Sequence, residues 1–343
     1  MKPFSFAPVD FAADFGEHGY AHIKQGVSKE FLLFAKDQLA KCRLSGQNEL
    51  SANEIKNKKK QYLFELPENA NFLGELTTAI GTVAGLPVAQ MTLSERHIKV
   101  YEDCAFSMPR LHKDCVASQV AVGIPLEQGI EARLVLLTGT ARRVNCLDSA
   151  IYGPRPIERA GGLARWYVED GEDAEAGELG GDRALIELDV RPGDVVMFEG
   201  SSIYHERLYG AKSAVLYLKF NAMRLDHLTE DPSTVTQRQK GLELLEQRND
   251  EQLLESIVEV SPRLRRVSRH YTRQNWTSVL QAYVSGEKEF AISDDDLHLL
   301  FALEGCRTVR DVLTGLGVIE DQLMSHVPRI RRLGKLGGID LLR

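Results

Sequence analysis

Apolar residues recur at helical spacing in two places near the start of the chain. Phe31, Leu32, Phe34, Ala35 and Leu39 follow Ser28, a residue type that caps helix starts, and predict a helix opening at Val27-Ser28-Lys29-Glu30. A second apolar helix is predicted over 71–84, ending near Gly85 and Pro87. Ahead of both, Phe15-Gly16-Glu17-His18-Gly19-Tyr20 leads into a short strand, Ala21-His22-Ile23. From residue 90 to about 222 the pattern shortens to alternating or continuous apolar runs at 97–101, 116–124, 132–137, 163–168, 184–189, 194–198 and 213–221. Gly161-Gly162, Gly180-Gly181 and Pro192-Gly193 punctuate them. Many short strands with turn signals predict a double-sheet jelly roll rather than a doubly wound sheet. Gly177-Glu178-Leu179-Gly180-Gly181 lies between strands and reads as a turn, not as a phosphate loop opening a helix.

After Asp226 the texture changes. Residues 237–260 read as polar and helical, with Leu242, Leu244, Leu245, Leu253, Leu254 and Ile257. Residues 290–343 read as three helices: 294–303 capped by Ser293, 309–316, and 320–333. Gly337-Gly338-Ile339-Asp340-Leu341-Leu342 then resembles the last strand or wing of a winged helix. The expected fold is mainly β with flanking helices: a double-stranded β-helix (jelly-roll, cupin-like) core at about 90–222 within a domain of residues 1–225. A helical C-terminal domain, 226–343, becomes winged-helix-like from about 290.

Composition narrows the class. A chain of 343 residues has room for two domains and a sizeable core. The net charge of −7 argues against nucleic acid as a partner of the whole molecule. Residues 263–343 do carry 13 basic against 10 acidic residues, but Asp294-Asp295-Asp296 sits on their first helix, so no nucleic acid is expected there either. No apolar run approaches the ~20 residues that span a bilayer. The N-terminus lacks an apolar signal core, and a cytoplasmic location is the default. Cys42, Cys104, Cys115, Cys146 and Cys306 are odd in number and form no CxxC pair, which points away from a disulfide framework or a structural zinc site.

The candidate chemistry lies in His112-Lys113-Asp114 and in His205, 93 residues after His112. Residues two apart on a strand point to one face, so His112 and Asp114 can converge on one ion. His205, arriving from a strand adjacent in space, completes two neutral nitrogen donors and one hard carboxylate. That set suits Fe(II) on one face of an octahedron and leaves the opposite face open. Around His205, residues 187–198 read as strand, turn, strand, with Pro192-Gly193-Asp194 reversing the chain.

RPGDVVMFEGSSIYHERL, paired with HKD, resembles the Fe(II)/2-oxoglutarate-dependent oxygenase superfamily. The N-terminal FGEHGYAHIKQGVSKEFL is similar to the start of its phytanoyl-CoA-hydroxylase-like and prolyl-hydroxylase-like branches, and the resemblance covers about residues 10–225. It implies Fe(II), 2-oxoglutarate and O2, with His112, Asp114 and His205 as metal ligands and catalytic centre. It also implies a cation for the distal carboxylate of 2-oxoglutarate at the start of the strand after the distal His. Lys212 matches that place best, where relatives more often carry Arg; Lys219 and Arg224 are the competitors. Tyr101 resembles a strand tyrosine that hydrogen-bonds 2-oxoglutarate. Halogenating relatives replace the carboxylate with a small residue, so Asp114 disfavours halogenation. Among the arginines near the barrel (Arg110, Arg142, Arg143, Arg155 and Arg165), Arg142, Arg143 and Arg165 are the candidates to grip a substrate carboxylate.

The expected activity is hydroxylation, desaturation or cyclisation at an unactivated C–H of a small amino-acid-like or natural-product substrate. The alternatives are an oxygenase acting on a peptide or protein docked by the C-terminal module, and a non-catalytic binder with a vestigial barrel. That module is also where a homodimer would form.

Overall fold

The structure is a computed structural model describing residues 1–50, 59–101, 111–138, 142–152, 155–158, 165–168, 184–208, 210–273, 276–303 and 307–343, with backbone only at 59, 155–158, 165–168 and 184. The chain divides into two units, Met1–Met223 and Arg224–Arg343. None of the described helices is long and apolar enough to cross a membrane.

The first unit opens with α1 (Ala12–His18), β1 (Tyr20–Ile23), α2 (Lys29–Ser45), β2 (Glu49–Leu50), β3 (Lys59–Leu63) and α3 (Phe72–Ala84). The strands that follow are β4 (Thr92–Tyr101), β5 (His112–Lys113), β6 (Val120–Glu127), β7 (Arg133–Thr138), β8 (Ile151–Tyr152), β9 (Arg155–Glu158), β10 (Arg165–Val168), β11 (Ala184–Leu188), β12 (Val195–Phe198), β13 (Tyr204–Leu208) and β14 (Ser213–Asn221). One sheet runs β1-β12-β6-β14-β4-β3-β2 and a second runs β11-β7-β13-β5-β8, while β9 and β10 form a separate ribbon. From β4 onward the chain visits the first sheet, the second, the first, the second three times (β7, β8 and β11), then first, second and first. That antiparallel path between two sheets is a jelly roll.

The helices form where the pattern predicts them. Ser28 caps α2 by accepting from the Phe31 N–H, and Gly46 and Gly85 end α2 and α3 in the left-handed conformation. Strand ends differ from expectation: β4 begins at Thr92 rather than 97, and β6 begins at Val120 rather than 116 and continues to Glu127. The strands carrying His112 and His205, which the ligand spacing requires, do not fall among the apolar runs. Tyr204-His205-Glu206-Arg207-Leu208 lacks an apolar face, because its inward side is polar, and β5 has only two residues.

The large sheet is apolar on one side. Ala214, Leu216, Leu218 and Phe220 of β14 pack in one core with Phe31, Phe64, Phe72 and Leu76, and Phe31 meets the Phe72 ring at 4.9 Å. A smaller apolar cluster lies between the sheets, where Leu134 and Leu136 of β7 meet Ala121, Val196 and Phe198 of β6 and β12.

The second unit is mixed rather than helical. Its elements are α4 (Pro232–Gln247), α5 (Asp250–Leu254), β15 (Ile257–Val260), β16 (Leu264–Tyr271), β17 (Ser278–Val284), β18 (Phe290–Ile292), α6 (Asp294–Ala302), β19 (Arg307–Thr308), α7 (Val309–Gly315), α8 (Leu323–Lys335) and β20 (Ile339–Leu341). They build the sheets β19-β15-β20 and β16-β17-β18. The expected helix over 237–260 therefore ends early and its last residues form a strand, because Ile257 and Val258 pair with Thr308 and Arg307. The three expected helices are present near 294, 309 and 323, and Ser293 caps the first in a reciprocal capping box with Asp296. The strand expected over 337–342 is present as β20, directly after α8, and it pairs with β15, a strand from ahead of the helices.

One buried carboxylate fixes the turn before β12. The Asp194 side chain accepts from the N–H groups of Gln25 and Arg191, both at 2.9 Å, and lies 3.0 Å from His22 Nε2, so it ties β1 to the turn. Gly193 beside it has φ +96°, a conformation that favours glycine. Burial raises the Asp194 pKa, but the bonds from Gln25, Arg191 and His22 outweigh it and the net shift is downward. Asp194→Ala should cost about 2–4 kcal/mol in urea unfolding at pH 7, since two N–H groups lose a charged acceptor. A depressed carboxylate stabilises the fold above its unfolded value of about 4 and loses that contribution as pH falls through its folded value. The gap between wild type and variant should therefore close on acidification, and a gap that widens would contradict this account.

Candidate metal centre

Antiparallel pairing of β5 with β13 sets His112 directly opposite His205, with ring centroids 4.4 Å apart. Asp114, two residues after His112, points to the same side. His112 Nε2 lies 3.6 Å from Asp114 Oδ1, and His205 Nε2 lies 3.6 Å from Asp114 Oδ2. One ligand atom from each residue falls within 4.8 Å of the other two, close enough for a single ion to span them. All three side chains are about nine-tenths buried.

The backbone holds Asp114 from both sides. Its N–H donates to Gly200 O at 2.8 Å, and its carbonyl accepts from Asn145 Nδ2 at 2.8 Å. Gly200 is required by close approach: a Cβ there would sit 2.7 Å from Ser118 O and 3.0 Å from Asp114 Oδ2.

His205 Nδ1 lies 3.0 Å from the Ile203 carbonyl. That contact assigns the proton to Nδ1 and leaves the Nε2 lone pair facing the site, the arrangement of metal-binding histidines. Burial, with His112 beside it, pushes the His205 pKa down to about 3, so its ring is neutral. Burial opposes ionisation of Asp114, yet Lys219 and the two histidines more than offset it and hold the carboxyl well below the usual range. Two imidazoles and one ionised carboxylate are the donor types that suit a ferrous ion.

Lys219 is a predicted residue in an unexpected role. Its buried ammonium lies 3.0 Å from Asp114 Oδ1 and 3.2 Å from Glu95 Oε1, joining the inner faces of the two sheets. Burial alone would lower its pKa, but the two carboxylates raise it above the ordinary lysine value. Lys219 thus neutralises the protein's own acids.

Lys212 does not join this set: it is exposed, in a turn with φ +60°, before the chain enters β14. Arg224 belongs to the second unit, where it bonds Glu259 at 2.8 Å and Gln237 at 3.1 Å. Tyr101 is buried and hydrogen-bonded with Tyr217 and Arg207. Arg142 donates to Gly16 O at 2.9 Å and lies 3.5 Å from Glu199. Arg143 is exposed, and its carbonyl accepts from Lys113 Nζ at 2.7 Å. The Arg155 and Arg165 side chains, and Arg110, Cys104 and Cys306, lie outside the described residues.

Arg207 was missed by the sequence reading. It follows His205 by two residues on β13 and shares its face. Its Nε donates to the Tyr217 hydroxyl at 3.3 Å, while its buried Nη1 meets no partner among the described residues. Lys99 lies on the same side of β4, its ammonium 5.0 Å from the centre of the Tyr217 ring. The signal for Arg207 was available as spacing: any residue two from a ligand on a strand faces the same pocket.

No protein-family model and no curated protein matches the sequence. Among solved structures, the chain is similar to a prolyl-4-hydroxylase from Pseudomonas putida at 13% identity and TM-score 0.42, over 63% of this chain and 98% of that one. It is similar to a 2OG-Fe(II) oxygenase family oxidoreductase from Burkholderia pseudomallei at 12% identity and TM-score 0.39, over 64% and 91% of the two chains. It is also similar to EvdO2 from Micromonospora carbonacea var. aurantiaca complexed with 2-oxoglutarate, at 14% identity and TM-score 0.40, over 64% and 93%.

Two substitutions test the electrostatics of the centre. Lys219→Met leaves buried Asp114 and part-buried Glu95 without their shared cation and should lower stability by about 3–5 kcal/mol in denaturant unfolding. Gly200→Ala should leave the fold cooperative but weaken divalent-metal binding, read by calorimetry with Mn(II), by tenfold or more. Unchanged Mn(II) affinity would mean that the close approach to Asp114 does not set its position.

Proposed function

We propose that this chain is an Fe(II)- and 2-oxoglutarate-dependent dioxygenase acting on a small amino-acid-like or natural-product substrate at an unactivated C–H. The observation that carries the reading is the buried group His112, Asp114 and His205 beside a buried guanidinium with unmet bonding capacity. The two imidazoles and the carboxylate would hold the ion through Nε2, Nε2 and one carboxylate oxygen. When bound, the ion supplies O2 activation coupled to oxidation of the 2-oxo acid to succinate and CO2.

The remaining work falls to the chain. Ile203 holds the His205 tautomer, and Gly200 and Asn145 fix the Asp114 backbone. Phe198, with its ring 4.6 Å from that of His205, covers one side of the site with apolar surface. Arg207 takes the anchoring role first expected of Lys212. Its free Nη1 is the donor for the distal carboxylate of 2-oxoglutarate, and Tyr217 orients it through Nε. A charge-assisted pair in a dry pocket is strong and directional. Hydroxylation, desaturation and cyclisation are all open to such a site, and substrate placement decides among them.

A second reading rests on Lys219. An ammonium 3.0 Å from Asp114 supplies positive charge where a metal would, as a vestigial binding barrel requires. Anaerobic Fe(II) titration separates the two. The oxygenase reading expects one ion per chain in the wild type, lost in Asp114→Ala and His205→Ala, with succinate formed only when Fe(II), 2-oxoglutarate and O2 are all present. In the same assay Arg207→Met should raise the KM for 2-oxoglutarate by about 10- to 100-fold, the value of 1.5–3 kcal/mol for a bond to a charged group. Lys212→Ala should leave it unchanged. A wild type that binds no iron would favour the vestigial barrel.

A further inference from the structure

The second unit carries a charge feature that the site does not use. Residues 260–286 hold five arginines and a histidine and contain no Asp or Glu. They form the β16–β17 hairpin, paired from Leu264↔Val284 to Tyr271↔Ser278 with a register shift between Leu264 and Arg266. One face of the hairpin is core: Leu280, Ala282 and Val284 pack with Phe290, Ile292 and Leu333. The other face presents Arg266, Ser268 and His270 beside Tyr283, Gln281 and Val279, their register partners. Arg266 stacks 4.3 Å from the Tyr283 ring centre, and the Tyr283 hydroxyl lies 2.9 Å from His270 Nε2. At the hairpin end Tyr271 is 62% and Trp276 75% exposed, and Trp276 has φ +56°, which a bulky residue rarely adopts.

The charges there are largely unspent. Arg269 is committed to Asp294 at 2.7 Å, and Glu289 reaches the outer face through Gln281 at 2.8 Å. Arg265, Arg266 and Arg273 make no ion pair with a carboxylate among the described residues, and Arg265 and Arg273 are exposed. The acids of α6 that weighed against a polyanion in the sequence are engaged elsewhere: Asp295 and Asp296 pair with Arg329 and Arg332 of α8.

We propose that the outer face and end of the β16–β17 hairpin bind single-stranded nucleic acid. Arg266 on the outer face, with exposed Arg265 beside it and Arg273 beyond the strand, can meet successive phosphates, and exposed aromatic rings give unpaired bases a surface to stack on. An acidic peptide would satisfy the arginines but leaves the indole and phenol rings without a role. A duplex hides its bases from such stacking. A net charge of −7 does not oppose such binding, because net charge averages over regions that a ligand meets separately.

The test is fluorescence anisotropy of a labelled 12-nucleotide uridine RNA and its DNA equivalent against the full chain at graded salt. Heparin fragments, oligoglutamate and duplex DNA serve as comparators. The expected result is tighter binding of the single strands than of every comparator, with quenching of tryptophan emission. Arg265→Gln/Arg266→Gln/Arg273→Gln should flatten the log–log salt slope by about 2, at about 0.7 for each phosphate no longer neutralised. Tyr271→Ser/Trp276→Ser should weaken single-strand binding tenfold or more while leaving heparin binding unchanged. Equal binding of heparin or oligoglutamate, or an aromatic variant that binds as the wild type does, overturns the proposal, as does no binding at low salt. Each variant is checked for folding by circular dichroism and for Mn(II) binding at His112, Asp114 and His205. The hairpin proposal therefore stands or falls separately from the oxygenase reading.

Discussion

A carboxylate taken out of water must be compensated, and much of the inner face of the first unit is arranged around doing so for Asp114. Its charge is balanced by Lys219 and faces the neutral ring of His205, with His112 on the other oxygen. The compensation comes from both sheets: Lys219 projects from β14, the histidines from β5 and β13. Removing one partner of a buried ion pair costs several kcal/mol because the other stays buried. The same carboxylate is therefore a structural tie between the sheets and the hard donor that a divalent ion requires. Those roles coexist because a carboxylate has two oxygens, one near Lys219 and the other near His205.

The large sheet can support such a site because β14 does two jobs at once. Its alternate residues Ala214, Leu216, Leu218 and Phe220 are locked into the helix-covered core, while Tyr217 and Lys219 face the pocket. Polar groups on a rigid, fully paired strand keep their positions without help from a ligand. β5 has no such support, being two residues long. The chain compensates with backbone bonds, from Asp114 to Gly200 and from Asn145 to Asp114. A glycine at 200 is the steric condition for the first of these.

How much of this was legible in the sequence depended on whether a segment's apolar face was visible. The helices beginning at Lys29 and Phe72 and the strand 213–221 were readable, since burial on at least one side leaves a periodic signal. The ligands were readable because HxD and a distant histidine have distinctive chemistry, even though their strands were not. What escaped was the inward polar set. Arg207, Glu95 and Tyr217 look like surface residues in the sequence, and only strand pairing shows that they share a pocket. Lys212 was favoured by its place after His205, but the turn leaves it exposed while Lys219, seven residues on, points inward. In the second unit, the arginines of 264–271 broke the strand pattern, and the hairpin went unread.

The two groups of arginine differ in physical consequence. Arg207 is buried, so its field is little screened and one guanidinium is enough to select one carboxylate at one distance. The exposed hairpin arginines are each weak in salt water, where fields fade within about 10 Å, and act only in number and in register with a repeating charge. A molecule can thus be acidic overall, hold a cation surplus in a pocket and display a basic strand pair, without contradiction. Whole-chain charge describes solubility and long-range approach. It does not predict what Arg207 or the hairpin arginines would recognise; burial and spacing bear on that.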